Sequence, residues 1–272
     1  LIDATATSNT AISYDLIVSE NGNVSSIQKA IDESSPSDVI FIENGTYTEN
    51  IVIDKSIHII GENKRSTIID GRNAGNVFKI NAQYVTIEQL TMQNSGNIFP
   101  NAGINLSASH ATIKNKKKKN NFYGMTLYNA DYNLIENNQI KNDDHCGIYI
   151  SESKSNTIQN NTVTNHSYNG FGVYDSSNNN LIKNNTLTFN MYCGINLRIS
   201  SNNTITGNTI YNNNIGIHIP SEENIIKNNT FSNNNIKFDE ESIIPKVPGF
   251  EFIIIILSLL ISFIYFRYPY QS

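Results

Sequence analysis

Three short runs of polar and aromatic residues stand before glycines that are 23 and 24 residues apart. In order, the runs are Asp143-Asp144-His145-Cys146, His166-Ser167-Tyr168-Asn169 and Asn190-Met191-Tyr192-Cys193. Neighbouring aspartates and a histidine can transfer protons, aromatic rings can stack on sugars, and histidine with sulfur ligands can bind soft metals. Because the spacing is nearly constant, a fold with the same period would bring the three runs together.

Alignment on the three glycines stacks the runs in columns. The columns of interest are Asp143, His166 and Asn190, then His145, Tyr168 and Tyr192, then Cys146, Asn169 and Cys193. Neighbouring β-strands lie about 4.8 Å apart, so two cysteines that are two rungs apart are separated by roughly 9–10 Å. A disulfide needs Cα atoms within about 7 Å of each other. We therefore predict two free thiols and no disulfide.

The stacked corner has three interpretations. The first is a polar loop edge with partly packed aromatic rings. The second is a carbohydrate-binding surface, in which aromatic rings stack on sugar rings and amides bond their hydroxyls. The candidate residues of this surface are Tyr123, His145, His166, Tyr168, Asn169 and Tyr192.

The third interpretation is catalysis or metal binding. Asp143, Asp144 and His145 are the candidate acids and bases, because a polysaccharide lyase or glycoside hydrolase needs such groups. The candidate soft metal ligands are His145, His166, Cys146 and Met191. No complete ligand motif is present, so we predict no cofactor.

The elements that would position these residues repeat from about Thr112 to Ile236 in units of 21 to 24 residues. A period of this size is typical of stacked supersecondary units. Two apolar columns, five residues apart, run through the units: Ile113, Ile135, Ile158, Ile182, Ile205 and Ile226, then Ile140, Val163, Leu187, Ile210 and Phe231. Between them stands Asn-Asn-Thr or a close variant. Asparagine tolerates left-handed backbone and can hydrogen-bond along a ladder, so these residues predict sharp, stacked turns.

The residues after each glycine alternate between apolar and polar, which is typical of a strand with one face in a core. No unit has a helical apolar stripe or the leucine-rich-repeat pattern. Three strands and three turns per unit predict an all-β protein, a right-handed single-stranded parallel β-helix of about nine coils. Ser25 to Gln28 has capping-box spacing, and Ile27, Ala30 and Ile31 predict a capping helix near residues 25–34.

The chain also resembles a known family. Residues 24–71, which include DVIFIENGTYTENIVIDKSIHIIGENKRSTIIDG, resemble the opening of NosD-like β-helix proteins, whose domain is also called the carbohydrate-binding and sugar-hydrolysis domain. Residues 112–235 resemble the parallel β-helix repeats that follow it. The resemblance implies the fold and, by analogy, copper handling. Asn142-Asp143-Asp144 is similar to the paired-aspartate motif of polygalacturonases, but the other motifs of that family are absent.

Charge is unevenly distributed. A net charge of −5 without a basic face argues against a nucleic-acid partner. The concentrated positive charge is the run Lys116–Lys119, in which Lys118 falls in the apolar column of Ile140. A buried ammonium without a partner costs several kcal/mol. We therefore expect the coil to bulge there, and we expect Lys118→Ile to raise the melting temperature.

The composition changes at Pro245. Residues 252–266 are nearly pure hydrocarbon, and with Phe250 and Tyr268 the segment approaches the length that spans a bilayer. The VPGFEF entry and the following Arg267 resemble archaeal C-terminal sorting signals of the Pro-Gly-Phe type. The predicted organisation is an N-terminal strand or leader region at 1–24, the capped β-helix at 25–240, a linker at 241–249 and a transmembrane or sorting segment at 250–268.

Such an anchor predicts an extracytoplasmic location at the cell surface, held to the membrane at the C-terminus. On an exported protein, Asn165 and Asn202 are the best placed glycosylation candidates. The leading functional hypothesis is binding of a polysaccharide or glycoconjugate, or a structural and adhesive role at the envelope. The alternative is a polysaccharide lyase or glycoside hydrolase, and the third is NosD-like copper handling.

Overall fold

The computed structural model describes residues 13–20, 22–220 and 223–239. In this part of the chain, each turn of the backbone contributes one short strand to each of three parallel sheets, which we call sheets A, B and C in chain order. Sheet A has ten strands, and sheets B and C have nine each. The predicted all-β parallel solenoid is therefore confirmed.

The strands are three to six residues long. Sheet A contains Leu16–Val18, Val39–Ile42, His58–Gly61, Thr86–Glu88, Thr112–Lys114, Leu134–Glu136, Thr157–Gln159, Leu181–Lys183, Thr204–Thr206 and Ile225–Lys227. Sheet B contains Gly45–Tyr47, Thr67–Asp70, Thr91–Gln93, Lys117–Lys119, Gln139–Lys141, Thr162–Thr164, Thr186–Thr188, Thr209–Tyr211 and Thr230–Ser232. Sheet C contains Ile51–Ile53, Phe78–Ile80, Ala102–Leu106, Tyr123–Tyr128, Ile148–Ser151, Phe171–Tyr174, Cys193–Arg198, Ile215–His218 and Ile236–Asp239.

The core is built from the predicted apolar columns. Ile135 pairs in register with Ile158, and Ile158 pairs with Ile182 on the next rung. All three side chains are fully buried. Burial of an isoleucine side chain contributes roughly 1.5–3 kcal/mol, so the stacked column favours this register over a slipped one.

Asparagine ladders hold the turns. In the Asn-Asn pairs the first residue, such as Asn160, has a positive φ, and the second is buried, as Asn161 is, or partly buried, as Asn229 is. The Oδ1 atom of Asn161 accepts from the backbone N and the Nδ2 of Asn138, both at 3.0 Å. Its Nδ2 atom donates to the carbonyl of Ile135 at 2.9 Å. The ladder therefore satisfies polar groups that the turn would otherwise bury without partners.

Three such columns run along the solenoid. The A–B ladder, between sheets A and B, contains Asn138, Asn161, Asn185, Asn208 and Asn229. The C–A ladder contains Asn133, Asn156, Asn180, Asn203 and Asn224. The B–C ladder contains Asn121, Asp143, His166, Asn190, Asn213 and Asn234. The third column alone replaces two asparagines by titratable residues.

The one helix among the described residues, Ile27–Glu33, packs on the first turn through Ile27, Ala30 and Ile31, as predicted. The expected capping box is wrong in detail, because Ser26 is the N-cap and its Oγ accepts from the backbone N of Lys29. The Glu49 carboxylate, rather than a residue of the helix, accepts from the backbone N atoms of Ile27 and Gln28.

The lysine run departs from the prediction. Lys118 does pair in register with Met92 and Ile140, but Lys117–Lys119 aligns with both neighbouring strands without an inserted residue. The expected bulge is therefore wrong. Lys116 is buried and stands one rung before Asn138, at the equivalent position of the A–B ladder. Its backbone N donates to the Asn138 Oδ1.

The two ends of the predicted organisation fall largely outside the described residues. Leu16–Val18 forms the first strand of sheet A, ahead of the helix. Among the described residues, no helix has the length and apolar character needed to cross a bilayer. The predicted linker at 241–249 and the predicted anchor at 250–268 lie outside them.

Candidate functional site

The three runs of polar and aromatic residues form the corner between sheets B and C. Each run ends at a glycine because the backbone there lies against the next rung. A Cβ added to Gly147 would collide with the Val163 side chain and would lie 2.9 Å from both the Gly170 carbonyl and the His166 Nε2. The repeated glycine therefore marks a place of close approach, and alignment on it gives the correct columns.

Asp143 and His166 lie inside the molecule. Only 1% and 2% of these residues are exposed, and they take two consecutive positions in the B–C ladder. His166 Nδ1 accepts from the backbone N of Asp143 at 3.3 Å, which assigns the proton to Nε2, facing the Ile140 carbonyl at 3.3 Å. The imidazole thus makes the same two contacts as a ladder asparagine. Burial lowers the pKa of His166 to about 4, so the ring is neutral at pH 7.

Asp143 also substitutes for an asparagine. Its Oδ1 accepts from the backbone N and Nδ2 of Asn121 at 3.0 and 3.1 Å, and its Oδ2 lies 3.5 Å from the His166 Nδ1. Asp144, the next residue, is exposed. The two carboxyl groups therefore do not converge on one substrate atom, as a pair of catalytic carboxylates would. Neither Asp143 nor His166 faces solvent, where a sugar would bind.

A row of aromatic rings lies along this corner, and we call it the aromatic ladder. Its members are Phe122, Tyr123, His145, Tyr168 and Tyr192. The ring centroids of Tyr123 and His145 are 4.7 Å apart, and those of His145 and Tyr168 are 4.8 Å apart. Tyr168 and Tyr192 are stacked at 5.3 Å with an interplanar angle of 8°. The predicted column of His145, Tyr168 and Tyr192 therefore places its rings in contact, whereas Phe122 was not among the predicted residues.

On the rung before His145, the residue in the same column is Phe122 rather than Tyr123. The backbone N of His145 donates to the Phe122 carbonyl, and the backbone N atoms of Tyr168 and Tyr192 donate along the same line. Tyr123 instead stands in the column of Cys146 and is buried. Alignment of Phe122-Tyr123-Gly124 on its glycine would have given this assignment from sequence.

Three further aromatic residues join the ladder and were missed in sequence. Phe99 contacts Tyr123 and Tyr149, each with a centroid separation of 5.9 Å. Tyr149 contacts Tyr174 at 5.3 Å. The alternation of the sheet C strands places Tyr149 and Tyr174 on the outer face, but Phe99 comes from a loop whose path the repeat does not specify.

Access to the ladder is unequal. Tyr168 is 37% exposed, Phe99 is exposed, and His145 and Tyr192 are half-buried. Burial lowers the pKa of His145, so its ring is neutral at pH 7. Desolvation by burial, together with smaller charge effects, raises the pKa of Tyr168 and Tyr192, so both phenols keep their protons as hydrogen-bond donors. The corner thus presents neutral rings with polar tips.

Asn169 lies beneath the ladder rather than on it. It is fully buried, its Oδ1 accepts from the backbone N of Cys193, and its Nδ2 donates to the Tyr174 hydroxyl at 2.8 Å. It therefore positions Tyr174. Cys146 and Cys193 flank it on the rungs before and after, as predicted, and both are free and buried. Burial raises the pKa of the Cys146 thiol to about 12.

Asn165 and Asn202, the glycosylation candidates, are exposed and have positive φ. The same holds for Asn160, Asn184 and Asn228, the sequon asparagines of the Asn-Asn turns. Backbone conformation and exposure therefore do not distinguish Asn165 and Asn202 from the sequon asparagines of the Asn-Asn turns. Asn165 differs in donating from its Nδ2 to the Asn142 Oδ1 at 2.9 Å.

A second row of stacked rings lies on the corner between sheets C and A. Tyr84 and His110 stack at 5.0 Å, and His110 and Tyr132 stack at 5.4 Å, all three exposed. This row was also missed in sequence, because the irregular units before residue 112 hide its period. It provides a natural control surface for the aromatic ladder.

Fold and site together define a parallel β-solenoid with a row of contacting aromatic side chains on one corner. The sequence profile of the family described as periplasmic copper-binding protein (NosD) matches residues 2–244, and the chain therefore belongs to that family. No curated protein matches the chain.

Solved structures share the fold. The catalytic domain of GH87 alpha-1,3-glucanase in complex with nigerose is 22% identical, with a TM-score of 0.69, over 80% of this chain and 45% of that one. Pectate lyase Pel9A is 18% identical, with a TM-score of 0.70, over 86% of this chain and 74% of that one. The alginate lyase from Paenibacillus sp. str. FPU-7 is 14% identical, with a TM-score of 0.63, over 78% of this chain and 94% of that one. The chain thus spans less than half of the glucanase domain.

The described residues do not fit a copper ion. Both ring nitrogens of His166 face backbone groups inside the ladder. His145 Nδ1 lies 3.2 Å from the Cys146 Sγ, but burial keeps that thiol protonated. Across residues 13–20, 22–220 and 223–239, no three His, Cys, Asp or Glu side chains come together as a metal site requires.

Proposed function

We propose that this protein binds a polysaccharide or glycoconjugate through the aromatic ladder. The observation that carries the proposal is the continuous contact of His145, Tyr168 and Tyr192 over three rungs, with Tyr168 partly exposed. Neutral rings with polar tips suit sugars, which present apolar C–H faces and polar hydroxyls. A row along the solenoid axis suits an extended chain of sugar units.

The solved relatives support a glycan partner. GH87 alpha-1,3-glucanase domains of this fold were obtained in complex with nigerose and with tetrasaccharides. Their identity to this chain is low, so the support concerns the kind of ligand that the fold accommodates rather than the residues that bind it.

The second candidate is cleavage of a polysaccharide, as in the hydrolase and lyases that share the fold. Among the predicted catalytic residues, Asp144 is exposed beside the ladder, while Asp143 is buried. An enzyme at this corner would therefore use Asp144 with a partner other than Asp143. Binding without cleavage is the simpler proposal, because it needs only the ladder.

One experiment separates the two candidates. The purified full chain is incubated with a panel of acidic and neutral polysaccharides, and retention and the release of reducing ends are recorded together. Tyr168→Ala should weaken retention about tenfold, the effect of one lost stacking contact. Tyr132→Ala, which removes a stacked and more exposed tyrosine from the other corner, should leave retention unchanged. Release that disappears in Asp144→Asn would establish an enzyme instead.

We also propose that the β-solenoid lies outside the cytoplasm and is held at the cell surface by residues 250–268. The support is the apolar run at 252–266, which follows the predicted linker at 241–249. Protease treatment of intact cells tests the location. Digestion of the solenoid without lysis would agree with the proposal, and protection until lysis would contradict it.

A further inference from the structure

Sheet B carries a cluster of positive charge next to the aromatic ladder, which we call the basic strip. Its members are Lys117, Lys119 and Lys141 on sheet B strands, with Lys64 and Arg65 in the turn that precedes the sheet B strand Thr67–Asp70. Lys119 and Lys141 are register partners on adjacent strands, so their Cα atoms are about 4.8 Å apart. Within the described part of the chain, no ion pair engages any of the five.

The other four cations are close enough to Lys117 to act on its charge. Partial burial and then the positive charges of Arg65, Lys141, Lys64 and Lys119 lower the pKa of Lys117. Like charges on neighbouring strands destabilise a sheet. In a chain whose net charge is −5, this repulsion is concentrated in one place, and an anion bound there would relieve it.

The basic strip and the aromatic ladder share their rungs. Lys119 stands three residues before Phe122, and Lys141 stands four residues before His145, with one turn between sheet and ladder in each case. A chain lying along the corner would therefore meet rings on one side and lysines on the other.

Few acidic groups oppose this charge. Asp70, on the same sheet, accepts from the Nε2 of Gln93 and the Nδ2 of Asn94, each at 2.8 Å. Glu62 accepts from the backbone N of Asn44. Asp144 is exposed on the turn between strip and ladder, so it would lie between the two surfaces and favour a ligand whose charge is on one edge only.

We propose that the basic strip selects acidic polysaccharides, with sugar carboxylates facing the lysines of sheet B while the sugar rings lie on the aromatic ladder. This inference rests on the proposed function and adds to it the charge of the glycan. A uronic-acid polymer carries one carboxylate per sugar, so it can place charge on successive rungs. Binding of this kind weakens with added salt, because exposed charges are screened.

The test uses two polymers with the same sugar backbone, one with free carboxylates and the other with neutral methyl esters. Affinities of the full chain for polygalacturonate and for its fully methyl-esterified form are measured at low and high salt. The wild type should prefer the acidic polymer about tenfold at low salt. The triple variant Lys117→Gln, Lys119→Gln, Lys141→Gln should lose that preference and keep its affinity for the esterified polymer.

The control removes the same number of charges elsewhere. Lys154, Lys183 and Lys227 lie outside the strands of sheet B. The triple variant Lys154→Gln, Lys183→Gln, Lys227→Gln should keep the preference for the acidic polymer. Equal loss in both triple variants would overturn the inference, because overall charge would then be the cause. Lysine-dependent retention of anionic phospholipid vesicles without retention of polygalacturonate would also overturn it. Thermal melts of both variants show whether the fold is intact, and the double variant Lys119→Gln, Lys141→Gln replaces the triple if it melts early.

The inference and the proposed function fail differently. If the wild type binds both polymers equally and Tyr168→Ala weakens both, the ladder binds glycans and the basic strip does not select them. If the wild type binds neither these nor any other polysaccharide, both proposals are wrong. A preference that survives in the lysine triple variant contradicts the inference alone.

Discussion

The backbone N–H of Asp143 donates to the Nδ1 of His166, which lies 3.3 Å away on the next rung of the solenoid. The same contact joins Asn138 to the Oδ1 of Asn161 at 3.0 Å in the neighbouring ladder. An imidazole thus performs the task of an asparagine amide, provided that it remains neutral. Protonation of Nδ1 would remove the acceptor and bury a charge.

We predict that stability falls in acid because of His166. Its pKa is about 4 in the folded state and about 6.5 when unfolded. The stabilisation is fully present above pH 6.5 and decreases as pH falls from there toward 4, because the unfolded chain binds the proton more readily. A shift of this size corresponds to a loss on the order of 3 kcal/mol.

Urea unfolding of the wild type and of His166→Asn at several pH values tests this prediction. Asparagine restores the ladder without a titrating ring, so the variant should show a shallower fall between pH 6.5 and 4. Parallel curves for the two proteins would contradict the prediction.

We predict that the two residues of an Asn-Asn turn differ sharply in importance. Asn185 accepts from the backbone N and Nδ2 of Asn161 and donates to the Ile158 carbonyl. Asn185→Ala leaves these buried groups without partners and should lower the free energy of unfolding by about 3 kcal/mol. Asn184 is exposed with a φ of 55°, so Asn184→Gly is the matched control and should be nearly neutral. Similar losses in the two variants would show that the ladder is not the source of stability.

We predict that Asp143 is structural. Asp143→Asn preserves the acceptor for Asn121 and should leave both glycan retention and the melting temperature close to those of the wild type. Asp143→Leu removes that acceptor and should cost about 1–3 kcal/mol. Assays of retention and of reducing-end release, together with thermal melts, distinguish this from a catalytic role, in which Asp143→Asn would abolish product release from a stable protein.

We predict that neither thiol reacts in the native protein. Cys146 and Cys193 are fully buried, and burial raises the pKa of each, to about 12 for Cys146. Because the thiolate is the nucleophile, a chromogenic disulfide reagent should label them slowly at pH 8 and label both at once in denaturant. Rapid labelling of the folded chain would mean that this corner opens.

Much of the fold follows from the period of the sequence. The columns of Ile135 and Ile140, the Asn-Asn turns and the helix at Ile27–Glu33 all appear where the pattern indicates. The reason is that a repeated unit must pack against copies of itself, so one register satisfies every rung at once. The single rung with Lys118 follows its neighbours in register, because the flanking strands fix its path.

The candidate site could be predicted from the sequence only in part. Alignment on glycine gave the contact of His145 with Tyr168 and of Tyr168 with Tyr192, since position in a column follows from spacing alone. Phe99 could not be placed, because it reaches Tyr123 and Tyr149 from a loop outside the repeat.

The sequence by itself thus determined the solenoid, its three columns per turn and the row of residues that lie above one another. The sequence also indicated that the apolar columns face the core, but the tertiary structure alone decided which polar residues of the corner between sheets B and C face inward. Asp143 and Asp144 are adjacent in the chain, yet one is in the ladder and the other is in solvent. The direction of a side chain at a turn depends on backbone dihedrals and on the partners that the next rung supplies, and neither is encoded in spacing.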